Sequence, residues 1–145
     1  MPCTVHFSNL TYDDFFKPVL DLYPDLPDQI SADFKKYIES DRRILPDYFG
    51  CDVAYVKQDA AIKQGVMHIH LAIPPVTFPK NKPQFDRKCP QDPAADAALV
   101  YAQGLYDEDQ YVLIAILYPG AHGKANERLI MLRLIEAAKV FRDKY

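Results

Sequence analysis

The sequence predicts an α+β fold, a small antiparallel β-sheet with one or two N-terminal helices and a C-terminal helix packed on it. Three observations carry this. Two apolar runs, residues 97–105 and 111–118, are separated only by a short turn with Asp107, Glu108 and Asp109, which makes them an antiparallel hairpin. A third run, residues 66–73, alternates its apolar and polar side chains and stops at Pro74 and Pro75. Apolar residues recur at helical spacing on both sides of this β-rich middle, at Ile30, Phe34, Tyr37 and Ile38 and again at Ile130, Leu134, Ala138 and Phe141.

In chain order, residues 4–10 set Val5, Phe7 and Asn9 against His6, Ser8 and Leu10, a short strand. Residues 11–14 resemble a helix-starting box, but Pro18 limits that helix to about two turns. Pro24 and Pro27 punctuate the next stretch, after which Asp28 caps a helix to about residue 41. Residues 41–50 (DRRILPDYFG) read as a turn-like connector with an apolar anchor. In the 66–73 strand Ile69, Leu71 and Ile73 share one face, and His68 and His70 the other. The loop over residues 74–96 is longer than a connection needs, which marks it as functional or mobile. Residues 112–117 lack any polar alternation, as expected of a central strand covered on both faces. Pro119 and Gly120 end it, and a final helix runs from about residue 125. With no internal repeat, low-complexity tract or linker, residues 1–145 read as one domain.

A chain of 145 residues buries enough surface to be stable without disulfides or a structural metal. The three cysteines, Cys3, Cys51 and Cys89, are odd in number and show no CxxC spacing, so neither a disulfide framework nor a cysteine zinc site is expected. No basic region followed by an apolar run opens the chain, and the longest apolar stretch is too short to cross a bilayer. The expected location is a reducing cytoplasm. The formal charge is −3, unevenly spread. Residues 1–60 carry six basic and eleven acidic side chains, and residues 119–145 carry six and three. A protein that coats free nucleic acid has the opposite sign, so any phosphate-facing surface here has to be local.

The sharpest chemical feature is His68 and His70, two apart on a strand and therefore on one face. Three readings stay open: a polar face open to water, a metal-binding pair lacking an obvious third ligand, and an acid–base pair, since imidazole titrates near neutrality. Arg87, in the long loop, has the planar fork that suits a phosphate. Tyr101 and Gln103 share one strand face and can engage a base, or Tyr101 can simply fill space. His122 and Lys124 sit just before the last helix, where anions are favoured and where a histidine can equally face solvent. No GxSxG, GxxxxGK[ST] or GxGxxG motif is present.

The string Leu45-Pro46-Asp47-Tyr48-Phe49-Gly50, followed by His68-Ile69-His70-Leu71-Ala72, Phe78-Pro79 and Gln84-Phe85 with Arg87, resembles the YafO family. The pattern continues through Leu99-Val100-Tyr101, Gln103-Gly104, Asp107-Glu108, residues 113–117, Pro119 and His122, in the family's order over residues 30–145. The resemblance implies a bacterial type II toxin that cleaves mRNA on the translating ribosome and is neutralised by an antitoxin encoded beside it. It also implies a fold like the RelE and ParE toxins.

Catalytic residues are assigned from chemistry. RNA cleavage without a metal or other cofactor needs a base for the ribose 2′-OH, an acid for the leaving 5′ oxygen, and positive charge on the phosphorane. His68 and His70 fit the first two roles in either order, and Arg87 the third. Tyr101 or Gln103 would position the scissile base, and His122 and Lys124 complete the expected substrate contacts. Two alternatives remain: a toxin of the same fold that only binds a target such as a topoisomerase, and a metal-dependent hydrolase using His68, His70 and His6 or His122. On the last helix, Leu129, Leu132 and Val140 lie opposite the core-facing stripe, to be covered either by the N-terminal helix or by an antitoxin segment.

Overall fold

The computed structural model describes residues 2–73, 77–88, 90 and 92–145. Pro74 and Pro75, expected to stop a strand, and Cys89 lie outside the described residues. The elements are β1 (Thr4–Phe7), α1 (Tyr12–Phe15), α2 (Lys17–Leu22), α3 (Leu26–Glu39), β2 (Phe49–Ala54), α4 (Asp59–Lys63), β3 (Met67–Leu71), β4 (Ala97–Gln103), β5 (Gln110–Leu117), α5 (Ala121–Ala125) and α6 (Arg128–Lys144). Single 3-10 turns at Gln84–Asp86 and Pro93–Ala95 punctuate the long loop. No helix is long and apolar enough to cross a membrane among the described residues.

The α+β expectation holds, with two corrections. The sheet has five strands in the order β1-β5-β4-β3-β2, and it is mixed rather than antiparallel, because β1 runs parallel to β5. The β4–β5 hairpin and the β3–β4 pair are antiparallel as expected. The second correction is β2. The connector expected over residues 41–50 ends in Phe49 and Gly50, the first residues of this strand; Gly50 and Asp52 are poor strand formers, yet pairing with β3 makes Phe49–Ala54 an irregular edge strand, with a register shift between Phe49 and Asp52.

Both faces of the sheet are covered. Ile30, Phe34 and Tyr37 of α3 pack with Ile69, Leu71, Leu99, Tyr101, Tyr111 and Leu113, all deeply buried. The opposite face is paved with Ala98, Val100, Ala102, Val112 and Ala115, residues small enough for α6 to lie close with Met131, Leu134, Ala138 and Phe141. Each large side chain buried in this way contributes about 1.5–3 kcal/mol. A bulge turns two successive residues of β5, Ile114 and Ala115, to the α6 face. The register slips so that Val100 pairs Ala115 and Tyr101 pairs Leu113, which leaves Ile114 unmatched. The buried hydroxyl of Thr11 donates to the Ile114 carbonyl, supplying the partner that the slipped ladder does not.

The expected final helix is α6; a separate short helix, α5, precedes it, and Glu127 between them takes an extended backbone conformation. Ile130 is only half-buried, while Leu134, Ala138 and Phe141 face the core as the wheel predicts.

Candidate active site

The alternation of β3 sends His68 and His70 to the α6 face and Ile69 and Leu71 to the α3 face. The two imidazoles meet edge-on, their centroids 5.1 Å apart. They were expected to stand exposed. Instead His70 is buried and His68 half-buried, because Tyr55 stacks on the His68 ring at 4.0 Å with planes 11° apart, and α5 roofs the pair. The two rings, with His122 of α5, Lys57 and Asn126, line a pocket of about 160 Å³. Lys57 donates to the Asn126 side chain at 2.6 Å, fastening the β2–α4 connection to α5. His122 is exposed, and its backbone N–H donates to the buried carboxylate of Asp96 at 2.7 Å.

Electrostatics follow from burial. Desolvation, with the neighbouring His70 and His122 adding to it, lowers the His68 pKa to about 4. His68 is therefore neutral at pH 7. His70 is also lowered by burial, while Asp96 opposes the shift. The Nδ1 atoms of both rings and Oδ1 of Asp96 are buried without a hydrogen-bond partner. Buried polar atoms normally find partners; the two imidazoles line the pocket, and Asp96 lies outside its lining, close enough to His70 to act on its charge. Asp96 and Lys57 escape sequence reasoning: Asp96 ends a loop with no motif around it, and Lys57 falls in a stretch with no clear periodicity.

The other expected site residues separate. Arg87, expected to face a phosphate, is 3% exposed. Its guanidinium donates to the carbonyls of Lys82 at 3.0 Å, Phe49 at 3.1 Å, Pro79 at 3.4 Å and Pro46 at 3.5 Å, and lies over the Phe78 ring. It fastens the loop onto β2. A Cβ on Gly50 would come within 2.5 Å of the Arg87 carbonyl, so that approach requires glycine. Tyr101 and Gln103 lie across the sheet from the histidine pair. Tyr101 is buried, its hydroxyl donating to Asp52, and the Gln103 amide donates to the Glu108 carbonyl. Lys124 sits within α5, donating to the Tyr118 carbonyl, and does not line the histidine pocket. His6 is bonded to Gln110 and stacked on Tyr145, against β5 and α6. Among the described residues no group of three His, Cys, Asp or Glu is arranged to hold a metal ion.

The sequence was compared with known proteins. A family model described as toxin YafO, type II toxin-antitoxin system, matches residues 35–143. The mRNA interferase toxin YafO of Escherichia coli (strain K12) is 37% identical over 121 residues, which span 81% of this chain and 86% of that protein. No solved structure matches.

Proposed function

The chain belongs to the YafO family of type II toxins, and from that premise we propose that it is an mRNA endoribonuclease whose chemistry takes place in the His68–His70 pocket. Its substrate is mRNA on the translating ribosome, its location the cytoplasm, its regulator a cognate antitoxin, and residues 1–145 act as one domain. A likeness to RelE and ParE toxins belongs to the same reading and is supported by the helix-flanked sheet with its β3–β4–β5 meander.

One observation carries the choice of site: two imidazoles in edge-on contact on a shared pocket wall, with a lysine and a third imidazole beside them. Neutral imidazole has one donor and one acceptor nitrogen. His68 is neutral, so its role is the base that takes the 2′-OH proton. The 2′ oxygen then attacks phosphorus, and the bond to the 5′ oxygen breaks. His70 is the acid that protonates that oxygen: burial lowers its pKa overall and Asp96 opposes that shift, so the negative phosphate of bound mRNA is what brings it to the protonated form the step needs. Lys57, which lines the pocket, supplies the positive charge first assigned to Arg87. The products are a 2′,3′-cyclic phosphate and a 5′-hydroxyl.

His68→Gln and His70→Gln should each slow ribosome-dependent cleavage about 10²-fold or more, with unchanged circular dichroism. Full cleavage by both variants would move the chemistry elsewhere.

A further inference from the structure

Across the sheet from the histidine pocket, a recess of about 220 Å³ opens beside the start of β3 and the ends of β4 and α6. Two arginines from opposite ends of the chain, Arg42 and Arg142, converge on it with Tyr101, Gln103 and Tyr111. The recess takes in Tyr101 and Gln103, two of the three substrate-contact candidates that the histidine pocket leaves out, Lys124 being the third.

Both arginines are held in place at a structural cost. Asp41 and Arg42 follow the end of α3 with φ of 55° and 64°, the left-handed region that glycine or asparagine would take more easily. Such strain persists where the surroundings over-determine it and is common at functional sites. The surroundings here are a buried carboxylate. Asp52 accepts from Arg42 Nε at 3.3 Å and from the hydroxyls of Tyr37 and Tyr101, each at 2.7 Å. Burial, and then Asp52, push both phenols up, so they remain donors. Gln84 donates to the Tyr37 hydroxyl and so steadies the network from the long loop. Arg142 lies over Gly65, where a Cβ would be 3.1 Å from its guanidinium, and Gly65 itself has a φ of +60°. Its Nη1 donates to the Lys63 carbonyl at 3.1 Å, while Nε is buried with no partner.

Both charged side chains that line the recess are guanidiniums, and Asp52 bonds Arg42 rather than Arg142, which suits an anionic group such as a phosphodiester. Planar forks bind phosphate oxygens two at a time. A recess into which two guanidiniums, two phenols and an amide converge also fits a phosphate better than the apolar face of a peptide. We infer that the Arg42–Arg142 recess binds a phosphodiester of the mRNA strand away from the scissile bond, so that the strand passes from one side of the sheet to the other. This rests on the ribonuclease reading above.

The test uses the full chain and a short single-stranded RNA with 2′-O-methyl riboses, which cannot be cleaved by 2′-OH attack. Arg42→Gly removes the cation and relieves the backbone strain but also leaves the buried Asp52 with only its two phenol donors, so its folding is checked by circular dichroism. Arg142→Gln is an independent second variant, and Lys17→Gln, an exposed charge elsewhere, controls for net charge. By anisotropy, each arginine variant should bind about 10-fold more weakly, with a salt slope smaller by about one. In ribosome-dependent cleavage each should raise KM more than it lowers kcat. Native-like binding and KM in both arginine variants overturn the inference while leaving the histidine chemistry standing. Absence of any cleavage by the native chain instead removes the ribonuclease reading. Arginine variants that lose a polyglutamate peptide but keep RNA also overturn the inference, by giving the recess to a protein carboxylate.

Discussion

His68 shows how local packing sets chemistry. On sequence it is half of a polar pair on a strand; in the fold its ring lies flat on Tyr55 and its pKa falls to about 4. A histidine lowered in the folded state stabilises the fold fully above its unfolded value of 6.5, and this contribution is lost as pH falls toward 4. The pair of values corresponds to roughly 3 kcal/mol. His68→Phe keeps a ring on Tyr55 and removes the titration, so the native chain should lose roughly 3 kcal/mol relative to the variant as pH drops from 6.5 to 4. A difference that is independent of pH would contradict the burial. Arg87 makes the opposite point. Its type suits a phosphate, and the sequence gives no means of telling a solvated loop arginine from one that fastens four carbonyls. Arg87→Ala should cost about 2–4 kcal/mol in denaturant unfolding by leaving carbonyls without donors. Native-like stability with lost cleavage would return Arg87 to the chemistry.

The secondary structure was legible where its period was strong. The α3 stripe, the β4–β5 hairpin and the His68–His70 face follow from spacing alone. The parallel placement of β1 did not, because strand direction relative to a distant partner leaves no local pattern. Nor did β2, a strand made by its neighbour and by Gly50 rather than by propensity. The same limit hid the site's division: Tyr101, Gln103 and the histidines sit on adjacent strands, and only the register of β3 on β4 assigns them to opposite faces. On α6 the wheel was informative. Leu129, Leu132 and Val140 are 77%, 48% and 48% exposed, so the N-terminal helices leave these three side chains largely uncovered. Arg133 nonetheless reaches Asp14 of α1 at 2.7 Å. An apolar strip on a helix with five basic and two acidic residues suits an acidic, amphipathic antitoxin segment. Leu132→Lys with Val140→Lys should change stability by less than about 1 kcal/mol and weaken antitoxin capture in a pull-down with the cognate partner. A large drop in melting temperature would show that the strip is core.

The overall charge places these sites in proportion. A net charge of −3, with an acidic first third, gives little long-range attraction for free RNA. The positive charges that matter are few and fixed: Lys57 at one pocket, and Arg42 and Arg142 at the other. Such a molecule benefits from a partner that presents the strand already positioned, as a ribosome does. Primer extension on a defined mRNA, with and without translating ribosomes, tests this most directly, comparing the native chain with His68→Gln and His70→Gln at physiological salt. The account predicts discrete cuts by the native chain on ribosome-bound mRNA, 5′-hydroxyl ends at those cuts, little cutting of naked RNA, and about 10²-fold slower cutting by either variant. Native-like cutting by both variants, or equal cutting of naked RNA, would contradict it.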